Sequence, residues 1–412
     1  MSRRQWWQTP ALRTDEEFDR ARPVGWLELF FDLVFVVVIA RLAHHLAANL
    51  DGSGVIEFVL QFVGVFWVWN AFTYYTERFE SEGLENRLVT FLAIVPVAGL
   101  AIWGDAGLGE QYGGFAAAYL LARAVNMATW ARAGLHNRIF RPVATRFLAG
   151  FAVVTAIILS SLTTTGNLRL ALWAIAVVAD IATPYFTLRH QAALPRLSTS
   201  KFPERFGLFT IIVLGEAVVG VITGLSELND AGDLSVLGVV QGVVGLGIGF
   251  AIWWIYFDFV ARRSPKPVIT AALGWVYLHL AAVTAITMTG VGISVVIAEG
   301  AEGSSGDAGR ILLVASVVLG LTAVALLETT LARGDDEPTH PRLSPGLKLV
   351  AAAVAAAAFI DLGWSPLSLL IVILAIAVVP CAYGAHAWFT QDLDPDADPD
   401  PATADQGEPA RP

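Results

Sequence analysis

Runs of about 20 mostly apolar residues recur along almost the whole chain, and they constrain its fold more than any other feature. A helix of that length spans roughly 30 Å of hydrocarbon. The runs are continuous rather than alternating, and lipid offers no water to pair with exposed backbone amides, so helices are favoured over a β-barrel. With a mean hydropathy of +0.62, the chain is predicted to be an all-α, polytopic transmembrane bundle.

The apolar runs predict about twelve membrane-spanning helices, each near the length needed to cross a bilayer. In chain order they are 26–49, 54–77, 87–104, 113–133, 145–165, 169–189, 204–226, 234–260, 267–297, 309–331, 346–362 and 366–389.

Five segments follow from this count of helices. Residues 1–25 form a cytoplasmic amino-terminal segment, 26–190 a first six-helix half, 191–203 a cytoplasmic linker and 204–390 a second six-helix half. Residues 391–412 are acidic and proline-rich and lack an apolar period, so we expect a disordered cytoplasmic tail.

Basic residues give the predicted orientation. All but four of the 26 lysines and arginines lie in segments on the side of the amino terminus. The exceptions are Arg41 and Arg123 within helices and Arg169 and Arg310 on the other side. By the positive-inside rule, both chain ends are predicted to be cytoplasmic in a multi-pass protein of the cell membrane.

The two predicted halves share weak internal similarity. "ELFFDLVFVVVIA" from Glu28 resembles "ERFGLFTIIVLGEA" from Glu204, and a stretch that begins at Gln61 resembles one that begins at Gln241. Six helices per half would give both halves one orientation, which is the parallel repeat of many transporters, whose sites lie where the halves meet. The alternative is a chance likeness between apolar, aromatic-ended helices.

Ionisable residues within the first helix need an explanation. Glu28 and Asp32 are four residues apart and therefore share a helix face, with Asp32 one turn deeper. In the structural interpretation, Glu28 lies at the water interface and Asp32 pairs with a loop arginine such as Arg78 or Arg87. In the functional interpretation, this acidic pair belongs to an ion or substrate pathway, which His44 extends towards the outer surface.

Four further ionisable residues are predicted to lie near the bilayer centre. Glu216 is twelve positions beyond Glu204, which places it roughly 18 Å along its helix, and the same estimate makes Asp180, His279 and Arg123 central. A carboxylate there costs about 2.5–3.5 kcal/mol on insertion scales unless it is protonated or paired. Arg123 is expected to neutralise Asp180 or Glu216, either in an ion pair that only holds helices together or as part of a polar pathway.

Several motifs resemble the low temperature requirement A protein family of bacterial membrane proteins. They are "WLELFFDLVFVVVIARLAHHL", "WVWNAFTYYTERFE", "ERFGLFTIIVLGEAVV", "WWIYFD" and "YLHL", in the order of helices one to nine. The resemblance implies a multi-spanning protein linked by name to growth in the cold, without a settled activity. The positions that it singles out are Glu28, Asp32, His44, Asn70, Arg78, Glu204, Arg205, Glu216 and His279.

A second likeness keeps a channel open as an alternative. "FFDLVFVVVI" is similar to the "FSDGVFAI" type of stretch in the lysosomal and bacterial potassium-channel family with two six-helix repeats. Phe31 and Leu33 depart from that pattern. A channel predicts a pore along helices one and seven with Phe31, Phe35 or Ile211 as its dry constriction.

The sequence therefore predicts a secondary transporter or proton-coupled permease for a small solute, a proton or a cation. The alternatives are an ion channel and a non-transporting envelope factor whose buried charges are all paired. No HExxH, GxSxG, Walker A or Cys/His cluster is present, so we expect no enzyme; the enzyme alternative is a membrane-embedded hydrolase or lipid transferase that uses His44, His45 and Asp32. We also expect no cofactor, metal or nucleic-acid partner. The expected partner is the lipid bilayer. Small residues at Gly238, Gly242, Gly245 and Gly249 predict close helix packing, within the chain or in a homodimer.

Overall fold

The computed structural model describes residues 9–13, 24–80, 83–195, 197–301, 307–334, 337–360 and 363–390. Over these residues the chain forms twelve α-helices, which confirms the all-α bundle. They are α1 (Trp26–Ala48), α2 (Gly52–Arg78), α3 (Leu84–Ile102), α4 (Tyr112–His136), α5 (Arg141–Ser161), α6 (Gly166–Gln191), α7 (Lys201–Ala231), α8 (Val236–Tyr256), α9 (Ile269–Ala301), α10 (Asp307–Thr330), α11 (Leu343–Ala356) and α12 (Pro366–Phe389). The predicted acidic tail lies outside the described residues.

Within the described part of the chain, nine helices are long and apolar enough to cross a membrane. The clearest difference from the sequence prediction is α11. It is α-helical over only 14 residues and ends in the 3₁₀ turn Ala357–Phe359. Fourteen residues extend about 21 Å, which is less than a full hydrocarbon core requires.

Helix ends are fixed by local hydrogen bonds. The side chains of Asp51, Ser235 and Ser365 cap α2, α8 and α12, where each accepts a hydrogen bond from the backbone amide three residues later. Gly232 ends α7 with a φ of +79°, a conformation that favours glycine.

Helices α1–α6 and α7–α12 pack in matching patterns. In the first set, α1 contacts α2 and α3, and α3, α4, α5 and α6 then pack in succession, with α6 also against α2. In the second set, α7 contacts α8 and α9, and α9, α10, α11 and α12 follow in succession, with α12 against α8. Each of the contacts named here has its counterpart six helices later, as a parallel six-helix repeat predicts, whereas the contact of α2 with α4 has no comparable counterpart between α8 and α10.

The bundle has two distinct ends. We call the end where α1 and α7 begin and α2 and α6 finish the basic end. Here the short strands β1 (Ala11–Leu12) and β2 (Phe79–Glu80) pair antiparallel, a feature that the sequence did not predict. At the opposite end, Arg41 forms an ion pair of 3.1 Å with Asp105.

Glycines allow α7, α8 and α9 to pack at backbone distance. A Cβ at Gly290 of α9 would lie 2.8 Å from the backbone nitrogen of Ala217 in α7. One at Gly245 of α8 would lie 2.7 Å from Ile293 in α9. The glycine stripe of α8 therefore packs within the chain, as one of the two predicted uses requires.

Candidate functional site

Two ion pairs join α1 to α7 at the basic end, and we call them the two-rung ladder. Glu28 Oε1 lies 2.8 Å from Lys201 Nζ, and Asp32 Oδ1 lies 2.5 Å from Arg205 Nη2. The rungs are four residues apart on both helices and therefore one turn apart. Glu28 Oε2 also accepts a hydrogen bond from the Gly25 amide. Two of the predicted acids thus hold one helix of each half together.

The deeper rung of the ladder is enclosed by protein. Asp32 and Arg205 are only 1% and 2% exposed. Trp69 Nε1 donates to Asp32 Oδ1 at 2.8 Å, and Arg205 Nη1 donates to Thr76 Oγ1 at 2.9 Å. Arg205 is therefore the partner of Asp32, in place of the loop arginine that the structural interpretation of the sequence suggested.

A second set of contacts closes the basic end below α2, and we call it the amino-terminal strap. Arg78 donates to the carbonyl of Pro195 in the linker between α6 and α7. Its neighbour Glu77 accepts from the Ser198 amide at 2.6 Å and from Arg13 Nη1 at 3.1 Å. The strap thus ties the segment around β1, the end of α2 and the linker into one layer.

A second buried Asp–Arg pair lies near the middle of α4 and α6. Arg123 Nη2 is 2.5 Å from Asp180 Oδ1, and the Tyr119 hydroxyl donates to Asp180 Oδ2 at 2.6 Å. Asp180 and Arg123 are 1% and 2% exposed. Of the two acids that the sequence offered as partners for Arg123, the structure pairs it with Asp180.

Arg123 also lines a cavity of about 50 Å³, which we call the central cavity. The cavity lies where α2, α4, α5 and α6 meet α7 and α9, so it contains side chains from both halves of the chain. On the measure used for buried water, such a volume holds a few water molecules. Its other lining residues are Trp67, Asn70, Ala71, Tyr74, Trp130, Phe147, Pro184, Gln191, Leu197, Phe202, Ile269, Ala272, Leu273 and Val276.

Several buried polar atoms at this cavity have no partner among the described residues. They are Asn70 Oδ1, Arg123 Nε and Trp130 Nε1, on side chains that are 9%, 2% and 1% exposed. Asn126, one helical turn from both Arg123 and Trp130, has both amide atoms unpartnered. A buried polar group without a partner costs roughly 1–3 kcal/mol, so water or a solute in the cavity would be stabilised by hydrogen bonds to these groups.

Glu216 is the predicted acid that stands alone. It lies at the middle of α7, is 7% exposed, and forms no ion pair or hydrogen bond with any described residue. It shares the buried face of α7 with Val213 and Ala217, where Gly290 of α9 approaches closely. An unpaired carboxyl group at this depth is stable only when protonated or when it meets a polar partner.

His279 is fully buried, with both ring nitrogens in use. Its Nδ1 lies 2.8 Å from the Trp275 carbonyl, and its Nε2 lies 3.0 Å from the Tyr256 hydroxyl. Because a carbonyl only accepts, Nδ1 carries the proton and Nε2 accepts from the tyrosine. Aromatic rings of Phe206, Trp275 and Tyr256 surround it. The hydrogen bond of His279 to Tyr256 therefore joins α9 to α8. His279 does not line the central cavity.

His44 and Glu204 lie apart from the buried sites. His44 is exposed, about 18 Å along α1 from Asp32. Glu204 is exposed at the basic end, on a groove between α7 and the end of α8. Among the described residues, no group of three or more His, Cys, Asp or Glu side chains is placed to hold a metal ion.

Some buried polar residues escaped the sequence analysis. Lys348 of α11 is fully buried, 2.6 Å from Glu328 and 3.0 Å from the Ser344 hydroxyl, with its Nζ 3.3 Å from the centre of the Phe259 ring. A single lysine within an alanine-rich apolar run was the available signal. Asn126 and Trp130 gave no such signal, because whether a buried polar side chain has a partner depends on packing.

Comparison with known proteins agrees with the motifs. The family model described as bacterial low temperature requirement A protein matches residues 23–400. An uncharacterized protein, RA0937, of Rhizobium meliloti (strain 1021) is 28% identical over 288 residues, which cover 64% of this chain and 67% of that protein. No solved structure matches. The family match covers all twelve helices, and the chain therefore belongs to the bacterial low temperature requirement A protein family.

Proposed function

We propose that this protein is a secondary transporter for a small solute and that the central cavity is its solute site. The observation that carries the proposal is the set of unpartnered polar atoms around Asn70, Arg123 and Trp130. The three residues line a cavity where α7 and α9 of the second half meet α2, α4, α5 and α6 of the first. Transporters with two parallel repeats bind their solutes at this kind of junction.

The basic end is closed in this conformation. The two-rung ladder joins α1 to α7, and the amino-terminal strap covers the ends of α2 and α6. At about 50 Å³ the central cavity suits a few waters, so a solute enters only when the halves separate. We propose that α1–α6 and α7–α12 are the rocking units and that breaking the ladder opens the site.

Glu216 is the proposed proton carrier. It is buried and lacks a partner among the described residues, whereas Asp32 and Asp180 are each held by an arginine. A carboxyl group crosses a low-dielectric region most readily in its neutral form. Uptake and release of one proton by Glu216 would therefore bias the packing of α7 against α9.

The packing argues against the two alternatives. Phe31 and Phe35 pack against Phe72 and Phe209 inside the bundle, whereas Ile211 is 48% exposed on the groove beside α8, so the predicted constriction residues do not surround one pore. A closed structural bundle would pair every buried charge, and Glu216 is not paired within the described residues. A transporter with a closed basic end and a proton-carrying Glu216 accounts for both observations.

The proposal includes the orientation of the protein in the membrane and the membrane in which it lies. The basic end faces the cytoplasm, since lysines and arginines are enriched in cytoplasmic loops, and the bilayer is the cell membrane. We propose transport, and no catalysis, as the role of the ion pairs and the unpaired acid described above. A role in growth at low temperature would follow from solute movement across that membrane.

Transport is tested in liposomes that contain a pH-sensitive dye and a clamped membrane potential. Monocarboxylates, amino acids and sugars are added outside, one class at a time. We expect one class to change the internal pH with wild-type protein and with Glu227→Gln, an exposed acid on the same helix. Glu216→Gln is expected to abolish the change. Equal traces for wild type, Glu216→Gln and empty liposomes with every class would refute the proposal.

A further inference from the structure

The groove between α7 and the end of α8 is open and holds about 360 Å³. At the basic end of the bundle its mouth carries Thr199, Glu204, Arg262 and Arg263. The segment Phe257–Ala261, which continues α8 as a π-helical turn, forms one wall. We call this feature the α7–α8 groove. It lies on the outside of the bundle, apart from the central cavity.

Positive charge at the mouth of the groove is only partly compensated. The Arg262 side chain is 63% exposed, and its nearest carboxylate oxygen, on Asp258, is 3.9 Å away. The Arg263 side chain is 9% exposed; its Nε lies 3.6 Å from Glu337 Oε2 and donates to the Ala332 carbonyl, while its Nη1 is buried without a hydrogen-bond partner among the described residues. The exposed guanidinium of Arg262 and the unpartnered Nη1 of Arg263 are therefore the two groups at the mouth that remain able to donate to an added acceptor, and a phosphate oxygen is a strong one.

Negative charge lies at the same mouth. Glu204 lines the groove, is exposed, and forms no ion pair with a described residue. A purely anionic ligand would be repelled by this carboxylate, and a purely cationic one by the arginines. A ligand with both a phosphate and an ammonium group satisfies both sides.

Below its mouth the groove is apolar. From Pro203 to Ile211 it follows α7 for roughly 12 Å into the membrane-spanning part, and Leu208, Ile211 and Phe257 line it there. Ile211 is 48% exposed. Both helices that form the groove are long and apolar enough to span a bilayer. An acyl chain is the apolar group that the surroundings supply in this position.

The geometry points to a binding site for one phosphatidylethanolamine-type lipid. Its phosphate would lie on Arg262 and Arg263, its primary ammonium on Glu204, and one acyl chain along Ile211 and Phe257. The ammonium separates this lipid from a phosphatidylcholine, whose trimethylated nitrogen donates no hydrogen bond. This inference does not depend on transport, since the groove and the central cavity share no lining residue.

The test measures lipid binding to the purified full-length protein in detergent by native mass spectrometry. Phosphatidylethanolamine, phosphatidylcholine and phosphatidylglycerol of identical acyl chains are compared, and inorganic phosphate is the soluble control. We expect phosphatidylethanolamine to bind most tightly. Glu204→Gln should lower its affinity about two- to fivefold, as for one exposed ion pair, and make it equal to that of phosphatidylcholine.

Two arginine variants complete the test. Arg262→Gln should weaken all three lipids, whereas Arg138→Gln, an exposed arginine outside the groove, should weaken none. The same temperature of unfolding for all variants without lipid shows that they are folded. The inference is overturned if wild type binds phosphatidylethanolamine and phosphatidylcholine equally, if Arg262→Gln matches wild type, or if inorganic phosphate displaces the lipid.

Discussion

Two buried Asp–Arg pairs of the same chemistry lie in opposite settings. Asp32 and Arg205 meet at 2.5 Å between α1 and α7, and Asp180 and Arg123 meet at 2.5 Å between α4 and α6. The first pair is enclosed by Trp69 and the aromatic core around it. The second borders the central cavity through Arg123. The two pairs have the same nitrogen–oxygen distance and nearly the same exposed fractions, so these quantities do not distinguish them.

The two pairs differ in the surroundings of the arginine that remains when the aspartate loses its charge. If Asp32 loses its charge, Arg205 stays in a packed interior. If Asp180 loses its charge, Arg123 can be solvated by water in the adjoining cavity. The sealed pair therefore serves mainly to hold two helices, whereas the pair at the cavity is able to respond to a ligand.

The largest expected effect breaks the sealed pair. Asp32→Asn leaves the Arg205 charge buried and uncompensated, which should lower the free energy of unfolding by about 3–5 kcal/mol. Thermal unfolding in detergent measures this loss. The double variant Asp32→Asn with Arg205→Gln should recover part of it, because no unpaired charge remains. Additive losses in the double variant would show that the two residues do not act as a pair.

The second prediction repeats the change at the cavity. Asp180→Asn should cost about 1–3 kcal/mol, less than Asp32→Asn, because cavity water solvates Arg123. In liposomes the same variant should lower solute affinity, since Arg123 is freed to change its orientation. If Asp180→Asn destabilises the protein as much as Asp32→Asn, the two settings do not differ and the comparison fails.

The third prediction concerns an atom without a protein partner. Trp130→Phe removes the unpartnered Nε1 donor and retains most of the ring packing against Phe147. We expect the temperature of unfolding to stay within the error of wild type. Solute affinity should fall about two- to tenfold, as for one neutral hydrogen bond. Trp173→Phe is the matched control, because the Trp173 Nε1 donates to the Leu60 carbonyl and its loss should affect stability instead.

The fold was predictable because a bilayer leaves few choices. Continuous apolar runs give helices, and the helices were predicted within a few residues of their observed ends. The exception is α11, whose apolar run continues past the end of the α-helix into the 3₁₀ turn Ala357–Phe359. Hydropathy gives the length of an apolar run, whereas the length of the helix depends on where its backbone hydrogen-bond pattern ends.

The site was predictable only in part. Depth along a helix identified Asp32, Asp180 and Glu216 as acids within the membrane-spanning region, and all three are buried. The sequence limited the partner of Arg123 to Asp180 or Glu216, but it did not indicate Arg205 as the partner of Asp32, since that pairing depends on how α1 faces α7. The sequence does not indicate that Asn126 and Trp130 have polar atoms without hydrogen-bond partners, because the lack of a partner results from how the helices pack.

The smallest expected effect concerns the outer rung of the ladder. Glu28→Gln removes the ion pair with Lys201 one turn nearer to water, where the two side chains are 12% and 14% exposed. Because water solvates the remaining lysine, we expect a loss of at most about 1 kcal/mol in the free energy of unfolding, and a smaller loss at high salt. Lys201→Gln should match it. A loss as large as that of Asp32→Asn would mean that both rungs are sealed, so that the basic end would have no hydrated edge from which the proposed opening could begin.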